Sequence, residues 1–337
     1  MNNISLSIIG SGYIARKVLK ELSSLCQIVS IYSTNKKTSK EIADKYKIKC
    51  CYTYDEILND ENIDCIYIAT PHSSHFYYAV RAIKSKKSVI CEKPSAINGQ
   101  QLNYLINLSE TYNVYFGEIM HFRFTPVFNE LKRIIDLRTY GKLKSVYASI
   151  GFDAYALPKR KRLLNPDTCG GSLLDIGIYL AAFAESIFDN LSVNSYTIFS
   201  EKNDDGIDIE NKINANINGV NCDFECSFKR ILPTEINLFF EKGKITIPYF
   251  FRPSKLIFSD DNNIENIYCN SFSYKYQFEK AFKDISSGVI ESEYYNHKSN
   301  YNTICLLDKI RYHENLFYSK KLESIMENKN KNEQNLY

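Results

Sequence analysis

The stretch Gly10-Ser11-Gly12-Tyr13-Ile14-Ala15 follows an apolar run at residues 4–9 and opens a helical pattern. In such a turn Gly10 permits the tight bend from strand to helix, Gly12 lets backbone approach a ligand, and the small Ala15 lets the helix pack on its strand. The positive end of that helix then faces a diphosphate. A glycine turn can also arise by chance, but the strand before it and the helix after it favour a dinucleotide site. We expect cofactor contacts from Gly10, Gly12, Tyr13 and Ile14.

The composition bounds the class of protein. A chain of 337 residues with 44% hydrophobic residues is long enough for two domains with large cores. Its 42 basic and 39 acidic residues leave a net charge of +3, and the basic residues are scattered apart from a stretch at 159–162. We therefore expect no nucleic-acid partner. The basic stretch is either a solvated loop or a contact for an anionic substrate, which makes Arg162 a candidate substrate-binding residue.

The chain shows no signal for export or membrane insertion. It begins without a basic segment and a cleavable apolar segment, and its longest apolar stretch, 173–188, is interrupted by Asp175 and Glu185. Ten cysteines at irregular spacings fit neither a disulfide framework nor a zinc site. We expect a soluble cytoplasmic protein with reduced thiols, with no membrane partner and no metal.

The first 121 residues alternate strictly between strand and helix. Strands are predicted at 4–9, 28–32, 64–69, 88–91 and 114–116, and helices near 14–24, 38–46, 74–85 and 98–112. This alternation is typical of a Rossmann domain, an α/β fold with a doubly wound parallel sheet.

From residue 122 to 337 the pattern changes to long alternating runs. After a helix near 126–137, strands are predicted at 143–152, 193–200, 209–218, 220–229, 235–241 and 244–250, with helices near 172–187, 275–287 and 299–318. These runs predict an α+β domain with a large, mostly antiparallel sheet, whose C-terminal helix packs back on the first domain. The polar segment 327–337 is expected to fray. One face of such a sheet needs cover, so we expect a homo-oligomer, a dimer or tetramer.

In a parallel sheet, ligands bind beyond the carboxyl ends of the strands. The third main strand ends at Thr70-Pro71-His72-Ser73-Ser74-His75, where Ser73 or Ser74 is expected to cap the next helix. The two histidines either pack there or belong to the cofactor site with Thr70 and Pro71. The next strand ends at Glu92-Lys93-Pro94, which places an ammonium group at the mouth of the crevice. Lys93 is either a surface charge or a group that holds a substrate oxygen. At this strand end Glu92 and Lys93 are also candidate cofactor-binding residues.

The predicted helix near 172–187 is apolar almost all round, and Asp175 is its anomaly. A carboxylate in such a run is costly unless it is paired, and Tyr179 lies four positions on, on the same helical face. The pair offers one acceptor and one proton donor. Alternatively, Asp175 is stabilised by the helix dipole and Tyr179 is a core residue.

Taken together, these motifs resemble the Gfo/Idh/MocA oxidoreductases over nearly the whole chain. The resemblance rests on the turn at 10–15, Thr70-Pro71-His72 with His75, Glu92-Lys93-Pro94, Arg123-Phe124 with Pro126, and the stretch from Gly170-Gly171 to Tyr179. It is closest to the branch containing trans-dihydrodiol dehydrogenase and NADP-dependent D-xylose dehydrogenase, which has tyrosine at the position of Tyr179.

The resemblance implies that Lys93 and Tyr179 flank the substrate carbon presented to a nicotinamide, with Asp175 orienting substrate or lysine. Tyr179 would donate the proton, and the positive charge of Lys93 would lower the pKa of the Tyr179 phenol toward neutral pH. Two departures stand out: His121 replaces a typical tryptophan, which suits a polyhydroxylated ligand, and Cys169 replaces a common glycine. The candidate substrate-binding residues are His121, Arg123, Phe152, Arg162, Asp175 and Tyr179.

The segment after the second strand bears on the choice of dinucleotide. NAD-preferring sites place an acidic residue there, but this chain has Ser33-Thr34-Asn35-Lys36-Lys37, and its first acidic residue is Glu41. Hydroxyl and ammonium groups can solvate a 2′-phosphate. We predict NADP as the preferred cofactor over NAD, with contacts from Ser33, Thr34 and Lys37, although NAD would serve as well if the lysines point into solvent.

Three functions are consistent with these features. The first is an NAD(P)-dependent oxidoreductase that interconverts a hydroxyl or lactol and a carbonyl or lactone on a sugar-like substrate. The second enzyme candidate acts on a nucleotide-linked sugar, with residues 159–162 receiving the diphosphate. The third is a regulator that senses dinucleotide or sugar without turnover, which the joint presence of Lys93, Asp175 and Tyr179 disfavours.

Overall fold

The first domain is a Rossmann fold. A computed structural model describes residues 4–188 and 191–325, with the side chains of 158–160 excepted. Its first elements are β1 (Ser5–Ile9), α1 (Tyr13–Leu22), β2 (Gln27–Tyr32), α2 (Lys36–Tyr46), β3 (Lys49–Cys51), α3 (Asp55–Leu58), β4 (Cys65–Ile68), α4 (His72–Lys84), β5 (Ser88–Glu92), α5 (Gly99–Tyr112) and β6 (Phe116–Ile119). The strands are all parallel, in the order β3-β2-β1-β4-β5-β6. The predicted doubly wound sheet is confirmed, and the three-residue β3 was too short to show a pattern.

The second domain is built on an eight-stranded sheet. Its elements are α6 (Pro126–Asp136), β7 (Leu143–Gly151), a π-helical turn (Leu173–Gly177), α7 (Ile178–Ile187), β8 (Val193–Lys202), β9 (Asp208–Ile217), β10 (Val220–Ser227), β11 (Leu232–Phe240), β12 (Gly243–Pro248), β13 (Lys255–Ser259), β14 (Ile264–Cys269), α8 (Lys275–Ser286), α9 (His297–His313) and α10 (Lys320–Glu323). The strand order is β14-β13-β12-β11-β7-β10-β9-β8, and among these described strands only β7 and β10 pair in parallel. The mostly antiparallel sheet is therefore also confirmed.

The π-helical turn and α7 form the core of this domain against one face of the sheet. The alternation of β10 buries Cys222, Phe224 and Cys226 on that face. A Cβ at Gly177 would lie 3.1 Å from Cys226 Sγ, so the missing side chain lets the helix approach the strand. Among the described residues, the helical stretch 166–187 is long and apolar enough to span a membrane, but 94% of its most apolar window is buried inside the protein. Its apolar character therefore serves the core.

The last helices return to the first domain. α8 packs on α1, and α9 packs on both α5 and α7. Polar contacts fix this arrangement, because Asp308 Oδ2 accepts from the Gly99 amide at 2.7 Å and Arg311 donates to the Ile97 carbonyl at 2.8 Å. The helix predicted over 299–318 is α9, followed by a turn. Residues 327–337, which were expected to fray, lie outside the described part of the chain.

Candidate active site

The turn between β1 and α1 has the geometry of a diphosphate cradle. Gly10 has a φ of +112°, and a Cβ there would lie 2.3 Å from the Ala69 carbonyl oxygen. Only glycine therefore lets the ends of β1 and β4 approach this closely. A Cβ on Gly12 would meet no atom within 4 Å, which leaves open space in front of the helix N-terminus. No side chain caps α1, which begins with the exposed Tyr13 and with Ile14. This open, uncapped helix end fits a dinucleotide diphosphate.

The segment after β2 forms the N-terminus of α2. Ser33 Oγ lies 2.9 Å from Ser11 Oγ of the glycine turn, and Asn35 caps α2 by accepting from the Thr38 amide at 3.1 Å. Lys36 Nζ donates to the Tyr52 carbonyl at 2.5 Å and lies 4.4 Å from the centroid of the Tyr32 ring.

The two lysines at this helix end therefore differ. Thr34, Lys36 and Lys37 are all exposed beside the helix N-terminus, but the ammonium group of Lys36 is already engaged by the Tyr52 carbonyl and the Tyr32 ring. Of the two ammonium groups, Lys37 is the better placed to meet a ligand phosphate.

The segment after β4 leads directly into α4. α4 begins at His72 with Pro71 at its N-cap and no side-chain cap, so the predicted capping by Ser73 or Ser74 is wrong. Ser74 Oγ instead donates to Thr70 Oγ1 at 2.9 Å. The reason is that α4 begins at His72, so Ser73 and Ser74 lie inside its first turn and not at the N-cap position.

His75 holds two strand ends together. Its Nδ1 lies 2.7 Å from the Pro94 carbonyl oxygen and its Nε2 lies 2.8 Å from that of Thr70. Burial lowers the pKa of His75 to about 3. His75 therefore links the segments after β4 and β5, which places both against the same crevice.

Lys93, Asp175 and His72 form one buried cluster across the domain boundary. Lys93 Nζ lies 3.2 Å from Asp175 Oδ1 and also donates to the Asp175 backbone carbonyl. His72 Nε2 lies 3.3 Å from the same carboxylate oxygen, and its Nδ1 lies 3.0 Å from the carbonyl of Cys169. Arg162 stands at the edge, 4.0 Å from Asp175 Oδ1, with a half-exposed side chain. The structure thus brings together four of the predicted site residues.

The charges in this cluster are fixed by their neighbours. Burial alone would raise the pKa of Asp175, but Lys93, the hydrogen bond from His72 and Arg162 hold it well below its usual value. Burial lowers the pKa of His72, partly offset by Asp175. Asp175 is therefore a carboxylate near neutral pH.

Cys169 keeps the loop geometry with a φ of +51°, a left-handed conformation that explains why glycine is common at this position.

Tyr179 lies beside this cluster and is only 7% exposed. Lys93 Nζ is 4.9 Å from the centroid of its ring, and the ring of Phe251 packs on it at 5.7 Å between centroids. Burial, followed by Glu92 and Asp175, raises the pKa of Tyr179 well above its usual value. The expected lowering of this pKa by Lys93 is therefore wrong, because the ammonium group lies over the ring face and burial dominates. A neutral phenol is suited to donating a proton.

Two buried carboxyl groups lie beneath the cluster. Glu92 accepts from Tyr67 Oη at 2.7 Å, and burial raises its pKa. Glu118 accepts from the Ser95 amide at 2.6 Å, and burial raises its pKa to about 7. Glu92 is one of the predicted cofactor-binding residues, whereas no sequence motif singles out Glu118.

The remaining predicted substrate residues have different positions. His121 is buried with its Nδ1 2.7 Å from Gln277 Oε1, within electrostatic reach of Lys93. Arg123 is not in the cluster, because its guanidinium donates to Glu185 at 2.7 Å and is buried over the ring of Tyr295. This geometry corrects the predicted substrate contact of Arg123 to a structural ion pair.

Two further placements concern the second sheet. Phe152 follows β7 and packs on Phe228 at 5.1 Å between ring centroids. Sequence reasoning missed Arg252 and Phe251, which reach the site from the turn between β12 and β13. The only signal for them was a cation at the end of an aromatic run, Tyr249-Phe250-Phe251-Arg252. In the described part of the chain, no three His, Cys, Asp or Glu side chains are grouped to hold a metal ion.

A Rossmann sheet with an open diphosphate cradle, next to a lysine at the end of β5, defines the class of nicotinamide-dependent oxidoreductases. The profile described as "Oxidoreductase family, NAD-binding Rossmann fold" of the Gfo/Idh/MocA group matches residues 4–118, and that of the "GFO/IDH/MocA C-terminal domain" matches residues 128–246. The chain belongs to the Gfo/Idh/MocA family of oxidoreductases.

Relatives and solved structures agree with this assignment. Trans-1,2-dihydrobenzene-1,2-diol dehydrogenase of Mus musculus is 28% identical over 256 residues, 74% of this chain and 76% of the relative. The Danio rerio enzyme of the same name is 25% identical over 304 residues, 87% and 90% of the two chains. KijD10, a 3-ketoreductase from Actinomadura kijaniata solved with NADP and TDP-benzene, has the same fold, with a TM-score of 0.82, 20% identity and coverage of 92% and 98%.

UDP-N-acetylglucosamine 3-dehydrogenase GnnA from Acidithiobacillus ferrooxidans is a second structural neighbour. Its TM-score is 0.76 at 13% identity, with coverage of 93% of this chain and 98% of GnnA. Both solved structures show likeness of fold.

Proposed function

We propose that this oxidoreductase interconverts a hydroxyl or lactol and a carbonyl or lactone on a sugar-like substrate. The observation that carries the proposal is the buried contact of Lys93 with Asp175 beside the neutral phenol of Tyr179. A nicotinamide dinucleotide supplies the hydride acceptor or donor.

The residues take distinct roles in this reaction. In the reduction direction, Tyr179 donates its phenolic proton to the carbonyl oxygen as the carbon receives hydride, which leaves an alcohol and a phenolate. Lys93, held by Asp175, stabilises the developing negative charge on the substrate oxygen. Solvent reprotonates Tyr179, and oxidation is the reverse of these steps.

We propose NADP as the preferred cofactor, with NAD as a weaker alternative. Gly10, Gly12, Tyr13 and Ile14 would hold the diphosphate, and Ser33, Thr34 and Lys37 the 2′-phosphate. The first acidic residue after β2, Glu41, is paired with Arg16 at 3.5 Å and lies within α2. The solved structure of KijD10 with NADP supports this choice.

A specific observation favours a second candidate substrate, a nucleotide-linked sugar. Arg162 of the basic stretch lies at the edge of the catalytic cluster, 4.0 Å from Asp175 Oδ1, where it would meet a diphosphate outside the crevice. Two structural neighbours are described with nucleotide-linked ligands or substrates. A regulator without turnover is disfavoured, because Lys93, Asp175 and Tyr179 are all present and in contact.

The experiment that tests the proposal is a substrate screen. Sugars, sugar acids and sugar nucleotides are assayed with NADP⁺ and NADPH by the absorbance of the reduced nicotinamide. We expect turnover with at least one of these compounds. Nicotinamide binding without turnover of any of them would favour the regulator.

We also propose a homo-oligomer located in the cytoplasm. Phe239, on β11, is 39% exposed between the buried Leu238 and Phe240, so it marks an outer face of the sheet that carries apolar groups. Phe199 on β8 is 54% exposed. All ten cysteines are free thiols, which suits a reducing compartment. Light scattering that shows a monomer at micromolar concentration would contradict the oligomer.

A further inference from the structure

The turn between β12 and β13 brings a cation to the far side of Tyr179. Arg252 Cζ lies 5.3 Å from the centroid of the Phe251 ring, and that ring packs on Tyr179. The backbone of the turn is fixed, because the Arg252 amide donates to the Tyr249 carbonyl at 2.7 Å. Arg252 is therefore held at the site by a defined loop of the second domain.

Arg252 differs from the buried arginines elsewhere in the chain. Arg311 pairs with Asp308 and Glu323, and Arg123 pairs with Glu185 through Nη2, although its Nε and Nη1 are buried without a partner in the described ranges. The guanidinium of Arg252 instead lies among aromatic rings, 5.9 Å from the centroid of Phe272 and 5.2 Å from that of Tyr274. Across residues 4–188 and 191–325 it forms no ion pair, and its Nε is buried without a hydrogen-bond partner. Such a group is costly unless a ligand satisfies it.

Two further buried polar atoms near Arg252 have no partner within the described ranges. These are Tyr274 Oη and Gln277 Nε2. Both residues contact His121, whose ring is 4.9 Å from that of Tyr274 and whose Nδ1 lies 2.7 Å from Gln277 Oε1. A guanidinium, a phenol and an amide NH₂ can all donate hydrogen bonds. Three unpartnered donors and one full positive charge in one cluster indicate an anionic acceptor.

The carboxylates around this cluster are already engaged. Asp175 is held by Lys93 and His72, and Glu92 accepts from Tyr67. Arg252 nevertheless acts on the catalytic groups, since burial raises the pKa of Tyr179 and the charge of Arg252 opposes that rise. Arg252 is therefore close enough to the reacting centre for one small substrate to reach both.

We propose that Arg252, with Tyr274 and Gln277, binds an anionic oxygen group of the substrate, a carboxylate or a phosphate at the end remote from the reacting carbon. The inference rests on the proposed function, because it deepens the substrate class from a sugar to an acidic sugar. The cofactor diphosphate has its own cradle at Gly12, in the other domain. Guanidinium groups bind carboxylate and phosphate oxygens in a bidentate fashion, and the aromatic rings shield that contact from water.

The test compares matched sugars on the wild type and variants. Glucose, galactose and mannose are compared with their uronates, their 6-phosphates and the UDP-linked forms of both the neutral sugars and the uronates. The variants are Arg252→Gln, Arg252→Lys as a partial rescue, and Arg133→Gln on the exposed face of α6 as a matched control. In the wild type we expect kcat/KM to be at least ~10-fold higher for an acidic form than for its neutral partner. Arg252→Gln should lower kcat/KM for that acidic form by roughly 10- to 100-fold, through a rise in KM.

The arms of the panel separate the sources of the anion. A loss confined to the uronates identifies a carboxylate, one confined to the 6-phosphates a phosphate, and one confined to the UDP-linked forms a diphosphate. Arg133→Gln should behave as the wild type. Equal kcat/KM for neutral and acidic forms in the wild type would overturn the inference, as would an Arg252→Gln variant that loses affinity for NADPH while its KM for the acid stays unchanged.

A binding readout keeps this inference distinct from the proposed function. The thermal midpoint of the complex with NADP⁺ is measured with each compound of the panel. If no compound is turned over, the proposed function fails, yet a rise in midpoint with an acidic form that Arg252→Gln abolishes would still support the anion site. If no acidic form raises the midpoint or is turned over, the anion site is refuted.

Discussion

Lys93 and Asp175 belong to different domains, and their side chains meet with Nζ 3.2 Å from Oδ1. Lys93 follows β5 of the Rossmann sheet, whereas Asp175 lies in the π-helical turn before α7. Neither charge is well solvated, so each stabilises the other inside the crevice. The docking of the two domains therefore builds the pair to which the proposed reaction assigns catalytic roles, and both residues are open to direct tests.

Lys93→Met and Tyr179→Phe should each lower turnover by roughly 10²-fold or more, because positioned proton donors and charge-stabilising groups contribute effects of this size. Affinity for NADPH, measured by fluorescence titration, should change little. The assay is steady-state kinetics with the substrate found in the screen. Near-normal turnover in both variants would refute their assignment.

Asp175→Asn provides the comparison for these variants. It retains the shape of the side chain and a hydrogen-bond acceptor for Lys93 but loses the charge, so we expect a smaller loss of turnover. If this variant alone failed to fold, Asp175 would be a structural carboxylate, as the sequence left open.

Gly12→Ala should weaken cofactor binding without unfolding the protein. Gly12 has a φ of −72°, which alanine adopts easily, and its Cβ would enter the open space where the diphosphate is expected. We expect the Kd for NADPH to rise at least ~10-fold, since one or more backbone hydrogen bonds to the diphosphate would be lost or lengthened. The free energy of unfolding without cofactor should remain close to that of the wild type.

Gly10→Ala is the matched variant, because its Cβ would collide with the Ala69 carbonyl and its backbone lies in a region that disfavours alanine. It should destabilise the protein itself. Equal unfolding energies for the two variants would contradict this account of the turn.

Glu118→Gln should change the pH dependence of stability. Burial raises the pKa of Glu118 from 4.5 to about 7, so the folded state holds a proton that the unfolded state releases. The folded form therefore binds more protons between about pH 4.5 and 7, and this contribution to stability is lost as pH rises through that window. The loss is about 3 kcal/mol at most.

Urea denaturation of wild type and Glu118→Gln from pH 5 to 8 checks this prediction. The free energy of unfolding of Glu118→Gln should increase relative to that of the wild type as pH increases. The exposed control Glu61→Gln should show the same pH dependence as the wild type. Parallel curves for all three proteins would show that Glu118 does not titrate in this range.

The parts of the site that the sequence predicted are those set by local pattern. Gly10 and Lys93 are recognisable because parallel strands end at one edge, so residues directly after the strands must converge. Arg252 lies in a turn between antiparallel strands, and no local pattern tells which turn of a large sheet reaches the other domain. Arg123 was misplaced for a similar reason, since its partner Glu185 is 62 positions away and pairs with it only in the folded chain. Tertiary contacts between distant segments therefore limited the prediction.

The preference for NADP should depend on Lys37 more than on Lys36. Lys36 is already hydrogen-bonded to the Tyr52 carbonyl and lies over Tyr32, whereas Lys37 is exposed at the N-terminus of α2 beside Ser33 and Thr34. Lys37→Glu should raise the Kd for NADPH by roughly 10-fold while leaving that for NADH within about twofold, because only NADPH carries the 2′-phosphate that the new carboxylate would repel. Adding Lys36→Glu should weaken NADPH binding further and NADH binding little.

Thr34→Arg is the complementary variant for this prediction. The branch of the family that the chain resembles, which contains trans-dihydrodiol dehydrogenase, usually has arginine at this position, and a guanidinium binds phosphate well. It should raise the preference for NADPH. The measurement is fluorescence titration of each variant with both reduced cofactors. Equal losses for NADPH and NADH in Lys37→Glu, or a wild type that prefers NADH, would show that the segment after β2 does not read the 2′-phosphate.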